Sequence, residues 1–202
     1  MSEICNAAAQ LTLDSLRDKK RLAQNAGQAL LGASSDLHKA LEFAEHGDSN
    51  ATITVYVAAA EKQLRNAVSL LDEVAGLLAS GGFSAETIAW LRSLDYDRLY
   101  RTGIASGVLP RSAELWAELA DMTVAEGPLG VCRDYRDRVA RAADLMADWL
   151  AHPEADTAVA ELTTLEAALL DVSLYARFLG YVNDVKPLDQ QWVRPAADLN
   201  AR

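Results

Sequence analysis

Between Ile53 and Leu78 the apolar positions keep strict time. Ile53, Val57, Ala60, Leu64, Ala67, Leu71, Val74 and Leu78 succeed one another at alternating steps of four and three residues. A seven-residue repeat of this kind puts one narrow apolar seam along a helix. The β-branched run Ile53–Val57 alone would suit a strand, but the repeat continues through Ala58-Ala59-Ala60 and predicts a helix. Asp48, Ser49 and Asn50 are competent N-caps just upstream, and Gly81-Gly82 supplies a stop.

A second unbroken repeat runs through Ala158, Leu162, Leu165, Leu169, Val172, Ala176 and Leu179, and His152-Pro153 precedes it, where proline suits a first helical turn. The first forty residues show a looser version in Leu16, Ala23, Ala26, Leu30, Ala33, Leu37, Leu41 and Ala44. A fourth stretch follows Gly127-Pro128, with Leu129, Cys132, Val139, Ala142, Met146 and Trp149 on its apolar side. Segments of roughly 25–35 residues make rods of ~40–50 Å. The pattern therefore predicts an all-α fold, a bundle of four long antiparallel helices. Leucine alternates with alanine along the seams, which lets helix axes approach more closely than the usual ~8–10 Å. Tight antiparallel pairing of the first two helices is expected across Gly47-Asp48-Ser49.

The rhythm fails between residues 81 and 128. The stretch is too long for a plain connector between bundled helices, and it reads as a short-helix insertion between the second and third long helices. Ser84 can cap a first short helix through Ile88, Leu91 and Leu94, and Ser112 a second with Leu115, Trp116 and Leu119. RTGIASGVLP between them reads as a loop. Residues 1–183 then form one helical domain. Residues 184–202 form an irregular tail, because Pro187 and Pro195 deny it regular helix. In that tail Trp192, with Leu188 and Val193, either folds back on the bundle or anchors a neighbouring chain.

The insertion also concentrates aromatics and arginines: Phe83, Trp90, Tyr96, Tyr100 and Trp116 with Arg92, Arg98, Arg101 and Arg111. Three readings fit. The short helices can cap the bundle, their rings plugging its open end. They can present a recognition surface, since aromatics and arginine dominate binding hot spots. Or Tyr96, Tyr100, Arg101, Trp116 and Tyr135 can line a pocket for an anionic small molecule, with Arg101 or Arg111 as the clamp. Beyond Pro128, CRDYRDRVARAAD allows Asp134–Arg138 and Asp137–Arg141 ion pairs at four-residue spacing. The alternative there is a basic docking strip of exposed Arg133, Arg136 and Arg141.

Composition narrows the function classes. The chain has 202 residues, half of them hydrophobic, which is enough for a core without staples. Cys5 and Cys132 are single and far apart, a pattern that gives neither a disulfide framework nor a zinc ribbon. The opening MSEICNAAAQLTLDSLRDKK lacks a basic region followed by a long apolar one, so no signal peptide is expected. No segment approaches ~18 uninterrupted apolar residues, so no membrane span is expected. A cytoplasmic location follows as the expectation. A net charge of −10 repels phosphate backbones and argues against nucleic acid as a partner.

His38, Glu42 and His46 stand four residues apart, a spacing used by helix-borne metal ligands. At ~100° per residue, however, His38 and Glu42 fall about 100° and 140° from the Leu37 seam and His46 about 180°. The three face away from the core, whereas bundle metal sites project inward. No metal and no cofactor is expected. Glu161, Glu166 and Asp171 fail to share a face, so they give no converging acid–base pair. What remains is a non-catalytic interaction protein, an adaptor, subunit or regulatory partner that binds another protein or a second copy of itself as a homodimer. The alternative is a small-molecule sensor or enzyme with its pocket under residues 81–128. Candidate contact residues for either are Trp90, Tyr96, Tyr100, Arg101, Arg111, Trp116, Arg133, Tyr135 and Trp192.

Overall fold

Ser49 decides where the longest seam begins. In the computed structural model its side-chain oxygen accepts a hydrogen bond from the Thr52 amide at 3.4 Å, and its carbonyl accepts from Ile53 at 3.2 Å. Of the three candidate caps it is therefore the one used. The preceding helix ends at Gly47, which adopts φ +74°. The Gly47 amide donates to Ala44 and that of Asp48 to Phe43, the paired closing bonds of a Schellman motif.

The structure describes residues 2–81, 89, 93, 95–105, 112–153 and 157–184, with side chains for 21–79, 89, 93, 95–105, 112–127, 129–153 and 157–172. Among the described residues it is all-helical, with no strand. The helices are α1 (Ser2–Glu45), α2 (Asn50–Gly81), α3 (Tyr96–Ala105), α4 (Ala113–Ala151) and α5 (Ala158–Asp184). No described helix is long and apolar enough to cross a membrane.

Two expectations need correction. RTGIASGVLP is not wholly loop, since its first half belongs to α3. Asp95 caps that helix, accepting the Arg98 amide on its carboxylate at 2.9 Å. Second, Pro153 does not open α5; the helix starts after Thr157, whose carbonyl accepts from Glu161 at 3.0 Å. The second insertion helix and the fourth long helix, taken together here as α4, are two helices that meet at a kink where the sequence places a break, at Gly127 with φ 70° and ψ −170°. That conformation is essentially confined to glycine. The first short pattern, Ile88 to Leu94, the tail and the side chains of Leu16, Ala176 and Leu179 lie outside the described residues.

The chain divides into two compact units. One comprises Ala23–Glu73 with Cys132–Leu174, the other Val74–Val131 with the segments before Ala23 and after Leu174. In the first, neighbouring segments run antiparallel and are tied by matching side-chain pairs. Gln63 donates to Asp36 at 2.6 Å and Phe43 stacks on Tyr56 at 5.2 Å between α1 and α2. Arg65 meets Asp144 and Arg136 meets Asp72 between α2 and α4; Arg138 meets Asp171 between α4 and α5; His38 meets Glu166 between α1 and α5. Most of these pairs are exposed, and such pairs contribute little each. The stabilising work falls to the buried seams: Ala26, Leu30, Ala33, Leu37 and Leu41 on α1, Ile53 to Leu71 on α2, Val139, Ala142, Ala143 and Met146 on α4, and Ala158, Leu162, Leu165, Leu169 and Val172 on α5.

The close approach of α1 and α2 has a point of contact at Gly32. A Cβ built there would collide with the Gln63 side-chain amide. That amide is the free end of a flexible side chain, so it can swing away, giving up its bond to Asp36 at a cost of about 1.5–3 kcal/mol. Replacing a helical glycine by alanine recovers about 1 kcal/mol. Gly32→Ala should therefore destabilise by only about 0.5–2 kcal/mol. A urea titration of the variant beside Gln63→Ala checks this, because Gln63→Ala lacks the gain from replacing glycine and should lose about 1 kcal/mol more.

Candidate functional site

Trp116 is the centre of the aromatic group carried by residues 95–126. It is buried in α4, and its indole N–H donates to the Tyr96 carbonyl at 2.9 Å. The Tyr100 ring stacks on it at 5.6 Å and the Tyr96 ring lies tilted at 6.2 Å. The Tyr96 hydroxyl is hydrogen-bonded to the Thr123 side chain, whose own hydroxyl donates to the Leu119 carbonyl at 2.7 Å. The one-turn spacing of Tyr96 and Tyr100 on α3 puts both rings towards α4. Arg98 and Arg101 lie on the exposed part of the same short helix. Arg101 donates through Nε to the Asp97 carbonyl at 3.3 Å, one turn back on its own helix.

Of the sequence-derived candidates, the structure brings Tyr96, Tyr100 and Trp116 together and leaves Arg101 exposed beside them. Arg133 and Tyr135 belong to the other unit, the first exposed and the second buried. Trp90, Arg111 and Trp192 lie outside the described residues. The basic strip is partly discharged. Arg136 is engaged with Asp72 and Asp137 at 2.9 and 3.1 Å, while Arg133 and Arg141 stay exposed. Asp134–Arg138 forms as the spacing predicts, at 2.7 Å, whereas Asp137 turns to Arg136 rather than to Arg141.

The His38 constellation faces outward. His38 and Glu42 are well exposed, His38 reaches Glu166 through Nδ1 at 3.1 Å, and His46 bonds back to the Glu42 carbonyl through its own Nδ1. No grouping of three or more metal-capable side chains occurs among the described residues.

Three buried groups carry raised pKa values, each mainly because burial disfavours the anion. Tyr96 and Tyr135 are pushed up to about 12 and the Cys132 thiol to about 11. The nearby Asp72 carboxylate adds to the effect at Cys132. A folded protein that holds these protons more tightly than the unfolded chain is stabilised below the unfolded values and loses that stability as pH rises. Unfolding free energy should therefore decline from about pH 9, through the range in which Cys132 and then the two tyrosines ionise, to about pH 12. Urea midpoints taken across that range check this, and Cys132→Ala should remove the earliest part of the decline.

One arrangement was not legible in the sequence. Leu145, Asp148, Trp149 and His152 of α4 and its C-terminal turn, with Glu161, Thr164 and Leu165 of α5, line a cleft of about 440 Å³. Trp149 is more than nine-tenths buried, yet its Nε1 has no hydrogen-bond partner. Leaving a buried donor unpaired costs about 1–3 kcal/mol, and such exceptions call for a reason. The periodicity places Trp149 on the apolar face and says nothing of the polar side chains that gather around it from the next helix. Comparison with protein-family models, curated proteins and solved structures finds no match.

Proposed function

We propose that this chain is a non-catalytic, all-helical interaction protein of the cytoplasm: a bundle of four long antiparallel helices whose capping segment, residues 81–128, presents a surface to a protein partner. The observation that supports it is how the aromatic group spends its polar atoms. The Trp116 N–H is taken by the Tyr96 carbonyl and the Tyr96 hydroxyl by Thr123. Reacting or ligand-gripping groups are held ready for something that arrives, whereas these are consumed in fixing α3 against α4. What α3 keeps available is its outer side, Arg98 and Arg101 beside the half-buried Tyr100. Arginine next to an aromatic edge is the composition of an interface centre, and it suits a partner that offers carboxylates or backbone carbonyls. Asp95 and Asp97 balance these two arginines, so the edge is locally neutral in a chain of net charge −10.

Charge reversal tests the reading. Native mass spectrometry of the protein recovered from its own host should show a second polypeptide or a second copy of this chain. Arg98→Glu/Arg101→Glu should reduce that association at least roughly tenfold, a loss of about 1.4 kcal/mol. Melting should stay within ~0.5 kcal/mol of wild type, because both positions are exposed. Association that survives the reversal places the contact elsewhere. A bare chain carrying extra small-molecule mass favours a pocket under the insertion instead.

A further inference from the structure

We draw no further inference here: the strongest candidate, the uncharged outer face of α5 on which Val159, Thr163, Ala167 and Leu170 stand exposed at helical spacing, is an unpartnered apolar face, and nothing in the structure shows what covers it.

Discussion

Trp116→Ala should lower the unfolding free energy by about 3–5 kcal/mol, the range for deleting a buried tryptophan. Only 3% of the residue is exposed, and it holds three things at once: the Tyr100 stack, the Tyr96 packing and the hydrogen bond to the Tyr96 carbonyl. Trp116→Phe separates them. It keeps most of the apolar volume and gives up the hydrogen bond, and it leaves no buried donor stranded, so that bond itself should account for only about 1 kcal/mol. Urea titrations of the two variants measure the difference. Equal losses would mean that the bond, rather than ring packing, holds α3 against α4.

Leu64→Ala should cost about 2.7–5 kcal/mol. Leu64 is fully buried on the α2 seam, and the residues one turn either side of it are Ala60 and Ala67, both buried as well. Alanines have no side chain that could fold into the space, so the cavity stays open and the loss should fall in the upper half of that range. Val55, nine positions earlier on the same helix, supplies the control: it is 65% exposed, and Val55→Ala should change stability by no more than ~0.5 kcal/mol. A large effect at Val55 would mean that this face is covered in solution.

The contrast between Leu64 and Val55 also shows why so much of the fold could be read from the chain. A heptad seam is a local property, and Ile53 through Val74 are buried at every predicted step. On α1 the looser pattern misled at one place, since Ala23 is exposed and Leu22 is buried instead. Small residues mark a face poorly, because alanine is tolerated on either side of a helix. α3 was missed for another reason. Its start depends on Asp95, one acidic residue among several, and its end runs through a Thr-Gly pair that resembles a turn. The candidate site divided in the same way. That Trp116 would be buried followed from spacing with Leu115 and Leu119, but its stacking on Tyr100 depends on how α3 meets α4. The cleft at Trp149 joins residues of two helices, a juxtaposition that periodicity within each helix does not contain.

The break at Gly127 has a consequence for the phase of the helix that contains it. At ~100° per residue, Leu115, Trp116, Leu119 and Thr123 gather about one direction, and Cys132, Tyr135, Val139 and Met146 gather roughly 180° from it. A straight rod from Ala113 to Ala151 would carry these two buried stripes on opposite sides. At Gly127 the helical backbone is interrupted, so the angular count before it does not dictate the count after it. In α2 a single deleted residue would turn everything beyond it by more than a quarter of a revolution; α4 already contains the position at which such a slip is absorbed.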